Sequence, residues 1–208
     1  MSTLVLLIPY SEGIVLVADR QVTYDHDHSR NLQDKIYYFE KVDTVIGFSG
    51  DRSGASLLAQ EIEKLDKGVD FESWYQEARD NLRNRHLEHR MDVEALSIAK
   101  KNGNLECYSV NAEDPPISIS KEKPRAIGEG ELYIRPHLDK ICNFISHERA
   151  VEFGKVMIEY SSRIALTVGS PTQFGVSVAT VPLNGKIVRQ NLERDAVPIE
   201  YVLYDFGR

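Results

Sequence analysis

The chain has 208 residues, 42% of them hydrophobic, and a net charge of −7. That length suits one domain spanning residues 1–208, with enough apolar side chains for a core, and the acidity argues against a nucleic-acid partner. No apolar run reaches the roughly 18 residues that cross a bilayer, and the start has no basic segment leading into an apolar stretch, so the cytoplasm is expected and a membrane is not.

Residues 2–9 and 12–18 are nearly continuous apolar runs of strand length, too apolar for an exposed sheet face. The link Pro9-Tyr10-Ser11-Glu12-Gly13 has hairpin length. Residues 24–34 are polar and read as loop, and residues 35–39 and 44–48 read as a second strand pair. Ser49-Gly50-Asp51-Arg52-Ser53-Gly54 breaks that sheet and starts a helix, whose stripe Leu57, Leu58, Ile62 and Leu65 ends at Gly68. A second helix is expected over 71–90. Residues 94–100 and 105–110 form a hairpin around Asn102-Gly103, and 115–120 and 125–128 extend the sheet. Helices follow near 131–145 and 147–161, with Pro136 bending the first or marking its start. Residues 174–181, a turn at Asn184-Gly185, then 186–190 and 201–204 return to strand. Strand runs and helix pairs are segregated, which defines an α+β protein and not an alternating parallel one.

A small hydroxyl residue follows the initiator. With Met1 removed, as is expected before a small residue, Ser2 carries a hydroxyl and a free α-amine, a nucleophile and its base on one residue. The second strand ends in Asp19, and Lys35 follows sixteen residues later.

Taken together, these motifs resemble the proteasome-type β subunits of the N-terminal-nucleophile hydrolases. Ser2-Thr3-Leu4-Val5 is similar to that family's opening strand, and Gly13-Ile14-Val15-Leu16-Val17-Ala18-Asp19-Arg20-Gln21-Val22-Thr23 to its second strand. Lys35-Ile36 stands at the spacing of the family's lysine, and Ile46-Gly47-Phe48-Ser49-Gly50-Asp51 at its strand-to-helix turn. The resemblance covers residues 2–65; beyond them only the order of elements and the strand at 174–181 agree. It implies a four-layer αββα sandwich of two antiparallel sheets. It also implies a threonine- or serine-type peptidase needing no cofactor or metal. Such a subunit would work in a homo-oligomeric ring on peptides or unfolded proteins, with an ATPase as a further partner.

The resemblance assigns the roles. Ser2 is the nucleophile, and its amine, with an unperturbed pKa of about 7.7–8.0, takes the hydroxyl proton. Lys35 stands by as an ammonium that lowers the amine pKa, and Asp19 fixes Lys35. The Gly50 N–H contributes to an oxyanion hole, and backbone near Thr23 and Ser49 holds the substrate as an added strand. The turn before Gly13 is one residue longer than in the family, so a register counted from Asp19 makes Thr3 the nucleophile. Ser2 is favoured because exposing Thr3 needs a second cut. Two family features are missing. Gly128-Glu129-Gly130 stands where the family has a serine between glycines, and residues 165–172 lack the family's Asp-x-x-Ser. Glu129 is a candidate replacement for the lost carboxylate. Non-catalytic structural and small-amide amidase or acyl-transferase readings remain open beside the peptidase.

Other groups read more plainly. Asp25-His26-Asp27-His28 is a solvated loop before it is a metal site, and His86 and His89 are surface charge among Arg83, Arg85 and Arg90. Cys107 and Cys142 are expected as free thiols. Tyr160, Tyr201 and Tyr204 are core or interface.

Overall fold

The computed structural model of the chain describes residues 3–23, 30–65, 70–85, 92–111, 114–138, 146–165 and 167–193. In chain order they form β1 (Val5–Tyr10), β2 (Gly13–Asp19), β3 (Gln21–Thr23), β4 (Arg30–Leu32), β5 (Ile36–Phe39), β6 (Thr44–Gly50), α1 (Arg52–Lys64) and α2 (Phe71–Asn84). There follow β7 (Val93–Lys101), β8 (Asn104–Val110), β9 (Ile117–Ile119), β10 (Arg125–Ile127), α3 (Glu131–Leu138), α4 (His147–Ser162), α5 (Pro171–Phe174), β11 (Val176–Pro182) and β12 (Val188–Leu192).

The strands make two five-stranded sheets, ordered β10-β1-β2-β11-β12 and β5-β6-β7-β8-β9, and the β3–β4 ribbon. Every pairing is antiparallel. The layering follows from the two-residue alternation of strand side chains. Leu4, Leu6 and Ile8, with Val15 and Val17, face α4 and join Phe153, Val156 and Met157 in one apolar cluster. The alternate residues Val5, Leu7, Ile14, Leu16 and Ala18 meet Val45, Leu96 and Ile98 of the other sheet in a second. The far side of that sheet supplies Ile46, Phe48 and Tyr108 to a third, beneath Leu58, Ile62, Trp74 and Leu82 of α1 and α2. Three apolar interfaces separate four layers, helix–sheet–sheet–helix, and both faces of each central strand are therefore apolar. Each fully buried Val, Leu or Ile contributes about 1.5–3 kcal/mol.

Helix ends follow local chemistry. Asp51 caps α1 by accepting the Gly54 N–H (2.7 Å), Asp70 caps α2 through Ser73 N–H (3.1 Å), and Ser146 caps α4 through Arg149 N–H (3.3 Å). Asn102 (φ 52°) and Gly103 (φ 78°) make the tight turn of the β7–β8 hairpin.

Some expectations shift. The stretch read as loop at 24–34 contains β4, since the chain after β2 forms its own small hairpin, with Gln21 opposite Leu32 and Thr23 opposite Arg30. Phe174 closes the short helix α5, so the late strand starts at Val176; the last described strand begins at Val188. Helix α2 ends at Asn84, and Pro136 sits inside α3. Residues 201–204, Cys142, His86, His89 and the Asp25–His28 motif lie outside the described residues. Cys107 is a buried free thiol, pushed by burial up to about 12. Tyr160 packs half-buried on the α4 cluster. Among the described residues no helix is long and apolar enough to cross a membrane, and no cluster of His, Cys, Asp and Glu suits a metal ion.

Candidate active site

Asp19 ends β2 and is completely buried. A carboxylate in that position needs hydrogen-bond donors, and the described residues supply four. The Leu4 N–H donates to Oδ1 (2.9 Å), while the Gln21 N–H (3.1 Å), the Gly169 N–H (3.0 Å) and the Lys35 ammonium (2.9 Å) donate to Oδ2. The Asp19 N–H in turn donates to the Leu4 carbonyl (3.2 Å). The start of β1 is thereby fixed against the end of β2.

Lys35 immediately precedes β5 of the other sheet. Its carbonyl accepts the Phe48 N–H of β6 (2.9 Å), and its side chain crosses to Asp19. The β3–β4 ribbon explains the sixteen-residue interval: it carries the chain out from Asp19 and back, with the Gln33 N–H donating to the Arg20 carbonyl (3.0 Å). Lys35 is only 6% exposed. Burial pushes its ammonium below the usual lysine range, and the Asp19 charge reverses part of that shift.

Thr3, Lys35, Tyr37, Phe48, Ser49, Gly50 and Arg52 line one recess, with about 20 Å³ of free space, room for a single water. Thr3 is 1% exposed. Gly128 (φ +94°) presses on it so closely that a Cβ there would stand 2.1 Å from the Thr3 carbonyl oxygen and 2.7 Å from Ser49 Oγ. Gly50 (φ +97°) sits as tightly on the Asp92 carbonyl, and only glycine accepts that combination of φ and space. Ser49 and Gly50 also line an open cleft of about 520 Å³ whose other walls include Asp92, Glu94, Glu129 and Glu131.

The structure thus brings Thr3, Asp19, Lys35, Ser49 and Gly50 together. Ser2 lies outside the described residues. Thr23 is in β3, opposite Arg30. Glu129 is exposed on the acidic cleft and accepts the Thr167 hydroxyl (2.8 Å). Two groups escape sequence reasoning. Gly169 supplies a donor to Asp19 from 150 residues away. Behind it, Glu159 of α4, 7% exposed, accepts the hydroxyls of Ser170 (2.5 Å) and Thr172 (3.3 Å). A glutamate inside the apolar run Val156-Met157-Ile158-Glu159-Tyr160 is the one signal that pointed to the second; nothing marked the first.

Two antiparallel sheets between helix layers make an α+β, four-layer αββα sandwich, with a buried carboxylate–lysine pair at the mouth of the β1–β2 hairpin. Among solved structures the chain is similar to Anbu proteins. It matches a Gly-1 mutant of Anbu from Hyphomicrobium sp. strain MC1 with a TM-score of 0.77 at 13% identity, covering 99% of this chain and 94% of that one. Anbu (ancestral beta-subunit) from Yersinia bercovieri matches with a TM-score of 0.75 at 14% identity, covering 98% and 93%. A helical assembly of the Anbu complex from Pseudomonas aeruginosa gives 0.75 at 14%, covering 98% and 92%. No family model and no curated protein matches the chain. These findings correct the family assignment drawn from the N-terminal motifs. The structural neighbours are Anbu proteins, and those motifs, confined to the first third of the chain, carry the proteasome-like fold and not membership of the proteasome β-subunit family.

Proposed function

We propose that this chain is a hydrolase of peptide bonds whose nucleophile is the hydroxyl of a processed terminal residue, and that the residue is Thr3. One observation carries the reading: the Leu4 N–H is held on Asp19, and the residue before it, Thr3, shares its recess with Lys35 and Gly50. Ser2 precedes Thr3 by one residue and lies outside the described residues. The free α-amine this chemistry requires arises when Met1 and Ser2 are removed.

In this mechanism the Thr3 amine takes the proton of its own hydroxyl, directly or through the water for which the recess has room. The Lys35 ammonium, kept charged by Asp19, lowers the amine pKa and stabilises the developing alkoxide. The oxygen attacks the scissile carbonyl; the backbone N–H at Gly50 receives the oxyanion. Collapse breaks the C–N bond, the leaving amine accepts the proton from the Thr3 ammonium, and an ester on Thr3 remains. Water, deprotonated by the same amine, cleaves that ester and restores the hydroxyl. An extended substrate would add beside Thr23 of β3 and Ser49 of β6, and Ser49 lines both the recess and the acidic cleft. The helical assembly described for a structural neighbour supports a homo-oligomeric working state.

The test is intact-mass analysis of the purified chain, followed by treatment with a peptide epoxyketone, which closes a ring only on a hydroxyl with an adjacent free amine. A chain beginning at Thr3 with the adduct on Thr3 supports the reading, and Thr3→Ala then abolishes both adduct and peptide cleavage. An adduct on Ser2 moves the nucleophile by one residue. Retained Met1 with no adduct replaces the enzyme reading with a structural subunit.

A further inference from the structure

Asp19 is oriented by three backbone N–H groups, and two of them are local: Leu4 on the paired strand and Gln21 two residues along. The third, Gly169, comes from the segment between α4 and α5 and has no strand or helix to hold it. Its position is over-determined from the side. A Cβ on Gly169 would lie 2.4 Å from Gln21 Cβ, so the segment is seated flush against β3. Thr167 Oγ1 donates to Glu129 on one side of it. On the other side Ser170 occupies the cap position before α5, yet its side chain caps no helix N–H. Ser170 instead donates to Glu159 Oε2 at 2.5 Å, a distance typical of charge-assisted bonds, and Thr172 donates to the same oxygen. Arg163 Nε lies 3.5 Å from the other oxygen. Glu159 is thus a buried carboxylate on a helix packed against β1 and β2, and the donors nearest to it belong largely to the segment that presents Gly169.

We infer that Glu159 is a positioning residue for the Asp19–Lys35 pair: it anchors Ser170 and Thr172, and so keeps the Gly169 N–H on Asp19. Its consequence for chemistry rests on the hydrolase reading above. Without the anchor, the segment after Val168 lifts, Asp19 loses one of its three backbone donors and turns, and Lys35 withdraws from the terminal amine. That amine then returns toward its unperturbed pKa of about 7.7–8.0.

The experiment has two readouts on the full chain. The first is exchange of the Gly169 amide hydrogen, followed by NMR, in wild type, Glu159→Ala and Glu159→Gln. Release of a charge-assisted anchor is expected to speed Gly169 exchange by about tenfold or more in Glu159→Ala. Glu159→Gln, which keeps one acceptor oxygen, is expected to lie between and covers the case in which the alanine variant fails to fold. Unchanged Gly169 exchange in the folded variants overturns the inference, whether or not the protein is an enzyme. The second readout is the pH dependence of epoxyketone labelling. Its midpoint is expected to rise toward pH 8 in the variants, whereas a general loss of stability would lower the rate without moving the midpoint. An unmoved midpoint overturns the positioning role. If wild type is never labelled, the hydrolase reading fails, and the Gly169 exchange still decides whether Glu159 holds the segment.

Discussion

Replacing Asp19 by asparagine keeps the shape of the side chain and removes its charge, which isolates the ion pair between the sheets. The four groups that bond Asp19 among the described residues are all donors. An asparagine offers one acceptor oxygen and an NH2 group, so whichever way it turns, at least one backbone N–H faces another donor. The best orientation keeps the oxygen toward Gln21, Gly169 and Lys35 and sets the amide nitrogen against the Leu4 N–H, which unpins the start of β1. Lys35, 6% exposed, also loses its counter-charge. Removing one partner of a buried pair costs about 3–5 kcal/mol, a large share of the roughly 5–15 kcal/mol that holds a domain together. The sign of the pH dependence follows from Lys35. Burial already lowers its folded pKa, and losing Asp19 lowers it further. Between that value and the unfolded value of about 10.4 the unfolded chain binds more protons, so stability rises with pH across the window as the buried amine becomes neutral. Urea unfolding of both proteins at pH 7 and pH 9 is the assay. The expected result is a loss of about 3–5 kcal/mol at pH 7, smaller at pH 9, with partial recovery in Asp19→Asn/Lys35→Met. A loss below about 1 kcal/mol, or one that ignores pH and the second substitution, would refute a pair that bears on both fold and site.

Two further outcomes are expected. Gly169→Ala sets a methyl 2.4 Å from Gln21 Cβ and 3.2 Å from Asp19 Oδ2; the strain should cost about 1–3 kcal/mol in thermal unfolding and slow epoxyketone labelling, and a variant equal to wild type in both would show the segment to be loose. Alkaline pH should destabilise the protein, because burial holds Cys107 and Tyr38 protonated up to about 12 and raises Tyr75 as well. Their stabilisation is full below the unfolded values of about 8.5 for Cys and 10 for Tyr and is lost as pH rises through the folded ones; the lowered pKa of Lys35 acts in the opposite sense up to about 10.4, so melting temperature should fall most steeply above that pH; no fall there, or a Cys107 thiol that reacts in the native Cys142→Ser protein at pH 8, would contradict that burial.

Residues 3–65 show what short-range pattern can carry. The unbroken apolar runs of β1 and β2 announce strands covered on both faces, and the structure covers them with α4 on one side and the second sheet on the other. Asn102-Gly103 fixes the register of β7 with β8 because two consecutive residues with positive φ leave few other turns. The Asp19–Lys35 spacing was readable, but the reason for it was not: the β3–β4 ribbon lies in a stretch too polar to look like strand, and its pairing is backbone chemistry with no side-chain signature.

The amino-acid sequence by itself determined the segregated α+β order, the buried hairpin that opens the chain, and the residue types gathered at its mouth, because period, turn chemistry and burial are written over a few neighbouring residues. Only the tertiary structure decided that Lys35, just before β5 of one sheet, reaches a carboxylate on the other, that Gly169 adds a donor to that carboxylate, and that Thr3 lines a recess with Lys35 and Gly50. Those contacts join positions up to 150 residues apart, each drawn together by the packing of layers, and no local pattern records them.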